Sequence, residues 1–228
     1  MLKYKKENQI SAIIFDVDGV LVDTVPFHFR AWQRMFAEVG IPFGKDEYKM
    51  INGIPRDTGV ELILQASATP KRIQELGDRK QHYYLESISQ HPPQPLSGIR
   101  SILSEIRRAG WRMAAASSSK NAAVVLSAAR IAAYFDAIIT GYDFQHPKPH
   151  PDIFLTAAHR LGIKPCEAVV VEDAAHGVRA AIAGGFYSVG IVGSESADDL
   201  CVAGASVIID TTDDLTMDLF RGLGSTHA

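Results

Sequence analysis

One segment near the start of the chain constrains the fold more than any other: a short apolar run, 13–15, that ends directly in two carboxylates, Asp16 and Asp18. A run that is apolar on both faces predicts a buried central strand of a parallel sheet. In open α/β sheets the ligand crevice lies outside the carboxyl ends of the strands, so both carboxylates are expected to point into it. Neighbouring carboxylates repel each other unless a cation or a shared proton compensates. Their placement therefore indicates metal-assisted chemistry.

The composition disfavours several other classes of protein. With 228 residues the chain is long enough for one large core, or for a core plus a smaller satellite domain. Its net charge of −3 provides no basic field for nucleic acid. Two scattered cysteines fit a reducing compartment, and we find neither a signal peptide nor a membrane span in the sequence. We therefore expect a cytoplasmic protein without nucleic-acid or membrane partners and, because nothing resembles a coiled coil or an interface stripe, a monomer.

Further strand patterns alternate with helical ones along the second part of the chain. Four short segments resemble the first strand, over 112–116, 137–140, 168–171 and 188–192, and a weaker strand pattern covers 206–209. Each of the four except the last precedes a helical pattern, over 121–129, 151–161 and 174–183. This alternation predicts an α/β fold, with a Rossmann-like three-layer core built on a doubly wound parallel sheet.

The stretch after the first strand breaks this alternation. Between 24 and 91 only helical patterns occur, over 26–39, 45–51, 55–66 and 70–89, and a stiff proline-rich connector follows over 91–98. We predict an all-helical cap domain over 23–95, inserted between two core segments, 1–22 and 96–228. Its hinges are expected at 22–25 and 91–96.

Polar side chains follow the predicted strands at four places, and each has a chemical role available. Oxygen ligands suit Mg²⁺, and four acids are the predicted metal ligands: Asp16, Asp18, Glu172 and Asp173. Lys148 and the hydroxyl of Ser117 are candidates for holding phosphate oxygens. Asp16 is a candidate nucleophile for aspartyl-phosphate chemistry, and Asp18 is a candidate for moving a proton at the leaving or entering oxygen.

Plain structural roles compete with these functional ones. Asp16 and Asp18 as mere strand-end caps are disfavoured, since acids are poor strand formers. The pair 172–173 suits the N-terminus of the following helix, where acids are favoured, and this role is compatible with metal binding. Lys148, considered alone, is an ordinary loop lysine. Three histidines raise the question of zinc, but they have no cysteine partners and we favour ordinary loop histidines: His146, His150 and His176.

The motif D-V-D-G-V-L-V-D-T over 16–24 resembles the first signature of the haloacid dehalogenase superfamily. Ser117, Lys148 and the pair Glu172–Asp173 match the remaining three signatures in order, so the resemblance covers nearly the whole chain. It implies a Mg²⁺-dependent phosphotransferase in which Asp16 carries the phosphoryl group.

A helical cap between the first and second signatures is the pattern of the β-phosphoglucomutase-like subgroup. The segments 23–32, 53–56, 79–80 and 119–121 resemble this subgroup in detail. The resemblance implies that Arg56 and Lys120 hold the phosphate that is not transferred, and that His28 and Lys80 contact the sugar or orient Asp18. In full, it implies these substrate-binding residues: Thr24, His28, Trp32, Gly53, Arg56, Lys80, Ser119, Lys120 and Asn121.

Simpler roles remain open for four of these residues. Arg56 is also explained as a solvated surface charge. His28 and Trp32, one helical turn apart, are also explained by packing of their helix. Thr24 also fits a turn or an N-cap position.

The implied substrate is a phosphosugar. The subgroup's reaction is the conversion of β-glucose 1-phosphate to glucose 6-phosphate through the bisphosphate, with water kept away from phosphorylated Asp16 by the cap. Asn52 stands where such mutases usually carry lysine, with Lys49 as a candidate substitute, and this change puts the choice of sugar in doubt. The alternatives are a sugar-phosphate phosphatase of the same fold and a catalytically silent binding module.

Overall fold

The computed structural model describes residues 9–51 and 54–225. In this part of the chain six strands form one parallel sheet, in the order β3-β2-β1-β4-β5-β6. The strands are β1 (Ala12–Phe15), β2 (Arg112–Ala116), β3 (Ala137–Ile139), β4 (Ala168–Glu172), β5 (Tyr187–Ile191) and β6 (Val207–Ile209). The strand order reverses between β1 and β4, as in doubly wound folds, and the predicted α/β class is confirmed.

Ten α-helices accompany the sheet in the described residues. Four lie between β1 and β2: α1 (Val25–Glu38), α2 (Lys45–Ile51), α3 (Arg56–Leu64) and α4 (Pro70–Gln90). The others are α5 (Ile99–Arg108), α6 (Ala122–Ala128), α7 (Asp152–Leu161), α8 (Ala175–Ala183), α9 (Ala197–Ala203) and α10 (Met217–Ser225). No helix within 9–51 or 54–225 combines the length and the apolar character that crossing a bilayer requires.

The chain forms two compact units. The sheet-containing unit ends its first segment at Asp23 and resumes at Pro93, and the helical unit is Thr24–Pro92. These limits differ by one residue and by three residues from the predicted cap domain. A short bridge between Val22 and Pro95 lies within the sheet-containing unit, where the chain leaves and returns.

The centre of the sheet is fully buried. Phe15 at the end of β1 is paired with Ala115 on one side and Val171 on the other, and all three residues are fully buried. Ala114 and Ala116 of β2 belong to one buried cluster with the adjacent Ala157 and Ala158 of α7, so that small side chains let the helix pack near the sheet. Because β1, β2 and β4 are parallel neighbours, the residues that follow them emerge at the same edge.

The helical unit has an aromatic core of its own. The rings of Trp32 and Phe36 stack with centroids 5.6 Å apart, and those of Phe36 and Phe43 stack at 4.9 Å. Offset aromatic pairs add stabilisation beyond their burial. Thr69 caps α4, its side-chain oxygen accepting a hydrogen bond from the backbone N–H of Arg72 at 3.3 Å.

Three of the helices in the described residues were not predicted from the sequence: α5, α9 and α10. In α5 the buried positions 99, 102, 103 and 106 follow a helical repeat that the sequence does contain. The expectation that no helix follows the fifth strand was wrong, because α9 begins there. Its start carries a capping box in which the side chains of Ser196 and Asp199 each accept a hydrogen bond from the backbone N–H of the other.

Candidate active site

A buried lysine joins the ends of two neighbouring strands. Lys148 Nζ lies 2.5 Å from Asp16 Oδ1 and 2.5 Å from Glu172 Oε1. Asp16 directly follows β1, Glu172 ends β4, and Lys148 lies in the loop between β3 and α7. The side chains of Lys148 and Glu172 are only 4% and 2% exposed. The structure therefore brings three of the predicted site residues into one charged cluster at the carboxyl edge of the sheet.

The charges of this cluster shift its proton equilibria. Burial raises the pKa of Asp16 well above its ordinary value, against the lowering effect of the Lys148 ammonium; the nearby Glu172 and Asp18 raise it further. Burial also lowers the pKa of Lys148, but the charges of Asp16 and Glu172 outweigh this effect and raise it overall. Lys148 therefore stays protonated, and it is the cation that compensates Asp16.

Glu172 contacts Lys148 with one carboxylate oxygen and organises the turn after β4 with the other. Its Oε2 accepts hydrogen bonds from the backbone N–H groups of Asp173 and Ala174, at 2.9 and 3.0 Å. Gly177 in α8 leaves room for this carboxylate, because a Cβ at that position would overlap it. With Lys148 on the other oxygen, Glu172 acts here as a positioning residue, and its predicted role as a metal ligand would compete with these hydrogen bonds.

Asp173 lies against the backbone just beyond β1. A Cβ on Gly19 would come within 2.7 Å of Asp173 Cγ, and Gly19 has a φ of 83°, which glycine adopts without strain. Burial, and then the charge of Glu172, raise the pKa of Asp173 to about 6. Asp173 is thus an acid held near the first strand end in an environment that opposes its negative charge.

The loop after β2 contacts the second acid of the first motif. Ser117 Oγ donates a hydrogen bond to Asp18 Oδ2 at 3.3 Å and accepts one from the backbone N–H of Ser119 at 3.0 Å. Ser117 is buried. The structure thus brings Ser117 together with Asp18.

The acid set fits a divalent cation. Four carboxylates, at 16, 18, 172 and 173, accompany Lys148 at this edge of the sheet, and burial, followed by the charges of neighbouring carboxylates, raises the pKa of Asp16 and of Asp173. Hard oxygen donors of this kind are the ligands that Mg²⁺ prefers. With Glu172 engaged by Lys148 and the turn, the side chains suited to hold the ion are those of Asp16, Asp18 and Asp173.

The predicted S-K-N segment continues the loop after β2. Ser119 Oγ accepts a hydrogen bond from the backbone N–H of Asn121 at 3.1 Å, and its carbonyl accepts one from Gly141 at 3.2 Å. Lys120 is exposed, and its Nζ lies 4.9 Å from the ring centre of Tyr142. Asn121 is the N-cap residue of α6. The loop is therefore fixed by its backbone, while the Lys120 ammonium faces an exposed aromatic ring.

A second buried polar pair lies inside the helical unit. Lys80 Nζ is 2.7 Å from His28 Nδ1, and the His28 ring stacks on Tyr84 with centroids 4.1 Å apart. Burial, and then the charge of Lys80, lower the pKa of His28 to about 3; burial, and then Arg56, lower that of Lys80 to about 7. His28 is therefore neutral at physiological pH, and Lys80 is poised between its two protonation states.

The remaining predicted residues of the helical unit differ in their surroundings. Trp32 is buried in the aromatic core, which agrees with the packing alternative. Thr24 is buried at the N-cap of α1 without a side-chain cap hydrogen bond. Arg56 Nε donates to Asp57 Oδ1 at 2.7 Å and its Nη1 to Asp78 Oδ1 at 3.0 Å. Gly53 and the departure at Asn52 lie outside the described residues.

Two residues of the site were missed in the sequence. Ser194 Oγ donates to the backbone carbonyl of Asp173 at 3.0 Å, and Glu195 Oε2 accepts from the backbone N–H of Ala175 at 2.8 Å. Both follow β5, so the rule that found Asp16 and Glu172, polar residues after a buried strand, also applies to them.

Comparison with known proteins supports membership of the superfamily that the sequence motifs resemble. A family model described as haloacid dehalogenase-like hydrolase matches residues 13–191. A β-phosphoglucomutase of Bacillus subtilis is 35% identical over 218 residues, which cover 93% of this chain and 94% of that protein. A phosphorylated carbohydrates phosphatase of Thermotoga maritima is 30% identical over 208 residues, 88% of this chain and 94% of its own length.

A solved structure agrees with the fold. The crystal structure of β-phosphoglucomutase from Clostridium difficile superposes with a TM-score of 0.82 and 29% sequence identity, covering 95% of this chain and 98% of that one. The similarities span both the strand-end acids and the inserted helices. The chain therefore belongs to the haloacid dehalogenase superfamily, in its β-phosphoglucomutase-like group of mutases and phosphatases.

Proposed function

We propose that this protein is a phosphosugar mutase that converts β-glucose 1-phosphate to glucose 6-phosphate through the 1,6-bisphosphate. The phosphorylated Asp16 transfers its phosphoryl group to the sugar 6-hydroxyl: the bond between phosphorus and Asp16 breaks, and the bond to the hydroxyl oxygen forms. Asp18 takes the proton of that hydroxyl. In the return step Asp16 attacks the phosphorus at position 1, and Asp18 gives the proton to the departing sugar oxygen.

The cluster around Lys148 supports this chemistry. An ammonium group has three N–H donors, of which two point at Asp16 and Glu172, and the third is suited to a phosphate oxygen. Lys148 thereby holds Asp16 in one orientation and offsets its charge in a buried environment. Bound Mg²⁺ would supply further positive charge to offset the phosphate and carboxylate oxygens. Ser117 Oγ holds Asp18, the proton carrier, by its hydrogen bond.

One observation favours the mutase in particular: the buried pair of His28 and Lys80 in the helical unit. The two residues are 52 positions apart in sequence, and their ring and amine nitrogens lie 2.7 Å apart. Both positions were assigned from resemblance to the mutase subgroup alone. A buried amine with a pKa near 7 is costly to keep, which favours a functional role over simple packing.

A sugar-phosphate phosphatase is the second candidate. The Thermotoga maritima relative is such an enzyme by name, and Asn52 replaces the lysine that is usual in mutases. In a phosphatase, water would attack the phosphorylated Asp16 and release free phosphate.

A single assay separates the two activities. The full-length protein is incubated with Mg²⁺, β-glucose 1-phosphate and a trace of the 1,6-bisphosphate, and glucose 6-phosphate and free phosphate are measured in the same sample. We expect glucose 6-phosphate to form at least about tenfold faster than free phosphate. Release of free phosphate without isomerised sugar would contradict the mutase and support the phosphatase. A panel of other hexose and disaccharide phosphates then defines the preferred sugar.

A further inference from the structure

A second group of metal-binding side chains lies outside the candidate active site. His146 and His150 lie in the loop between β3 and α7, and Asp152 is the first residue of α7. His146 Nδ1 is 2.7 Å from Asp152 Oδ2, and His150 Nδ1 is 2.9 Å from Asp152 Oδ1. One atom from each residue can be chosen so that all three atoms lie within 4.8 Å of one another. The two imidazoles thus converge on the two oxygens of one carboxylate.

The chemistry of this group differs from that of the acid site. Two imidazole nitrogens and a carboxylate oxygen suit Zn²⁺, Cu²⁺ and Ni²⁺, whereas Mg²⁺ prefers oxygen ligands alone. Three protein ligands leave further coordination positions for water. The histidine side chains are 62% and 49% exposed, so an ion can reach them from solvent.

The loop that carries the two histidines is already shaped. The backbone N–H of His146 donates to Asp152 Oδ2 at 3.1 Å, which ties the start of the loop to the start of α7. The imidazole rings lie 4.6 Å apart, and the histidines alternate with prolines at 147, 149 and 151, which restrict the backbone. The loop itself therefore holds the three ligands close together.

We propose that His146, His150 and Asp152 form a binding site for one divalent transition-metal ion of the zinc class. Lys148 lies midway between the two histidines in sequence and reaches Asp16 and Glu172. A metal ion on this site would clamp the loop from which Lys148 extends. The sequence favoured ordinary loop histidines because His146, His150 and His176 have no cysteine partners; the structure supplies Asp152 as the third ligand for His146 and His150.

The test uses the full-length protein without a polyhistidine tag, with Mg²⁺ at saturating concentration to occupy the acid site. Cu²⁺ is added in equimolar amount, and the electron paramagnetic resonance spectrum is recorded. We expect nitrogen hyperfine coupling from two imidazoles. Zn²⁺ titration calorimetry should give one site, and His146→Ala and His150→Ala should each weaken it by about tenfold or more.

Two further variants serve as controls. His159→Ala removes an exposed histidine from α7 and should leave both the nitrogen coupling and the Zn²⁺ affinity unchanged. Asp173→Asn alters the acid site and should also leave them unchanged. The proposal would be overturned by Cu²⁺ spectra without nitrogen coupling. Equal Zn²⁺ affinity in the wild type and the His146→Ala/His150→Ala double variant would overturn it as well.

Discussion

Replacing Asp16 with asparagine is expected to lower kcat by at least about a thousandfold, for either the mutase or the phosphatase reaction. The amide cannot form the acyl-phosphate bond, and within residues 9–51 and 54–225 no other carboxylate has the same position at the end of β1 next to Lys148. Because Lys148 keeps its contact with Glu172, the variant should remain folded. The measurements are steady-state kinetics with β-glucose 1-phosphate and thermal unfolding followed by circular dichroism.

Asp198→Asn is the matched control for this experiment. Asp198 is exposed in the first turn of α9, so the same chemical change should leave the kinetics unaltered. Wild-type activity in the Asp16→Asn variant would contradict the role of Asp16 as nucleophile.

Replacing Lys148 with methionine should both inactivate and destabilise the protein. The change leaves two buried carboxylates, on Asp16 and Glu172, without their ammonium partner. Breaking a buried ion pair from one side costs about 3–5 kcal/mol of unfolding free energy. We expect a loss of this size at pH 7, measured by denaturant unfolding in the absence of Mg²⁺.

The destabilisation should depend on pH in a defined direction. Burial raises the pKa of Asp16 in the folded protein, and removal of Lys148 raises it further. As the pH rises above 4, Asp16 loses its proton in the unfolded variant before it does so in the folded variant. The folded state then binds more protons than the unfolded state, so the free energy of unfolding falls as the pH rises. The loss caused by the substitution should be less than half as large near pH 4 as at pH 7.

Lys71→Met is the control for the loss of one positive charge. The Lys71 side chain is 87% exposed and its nearest carboxylate is 3.9 Å away, so little stability should be lost at any pH. Equal stability of the wild type and Lys148→Met at neutral pH would mean that Lys148 does not compensate the buried acids.

The sheet of this protein could be predicted from the sequence because its strands are short and apolar on both faces. The segments 112–116 and 137–140 agree with β2 and β3 within one residue. The acids after β1 and β4 could be located because a parallel sheet collects its strand ends at one edge. Helical patterns predicted the four helices between β1 and β2, because no strand pattern occurs in that stretch of the sequence.

Other features depend on contacts that no local pattern records. The pairing of Lys148 with both Asp16 and Glu172 joins three segments, and the sequence suggested only a phosphate contact for this lysine. The pairing of Arg56 with Asp78 likewise joins two helices, α3 and α4. The helices α5 and α9 are a different case: they were not predicted, although the helical repeat of α5 and the capping residues of α9 are visible in the sequence.

The most direct measurement asks whether Asp16 bonds to a phosphoryl group. A crystal grown with Mg²⁺ and beryllium fluoride, a mimic of the phosphoryl group, should show beryllium attached to a carboxylate oxygen of Asp16. An adduct on Asp18 instead, or a crystal soaked to saturation with no adduct on either acid, would contradict the account.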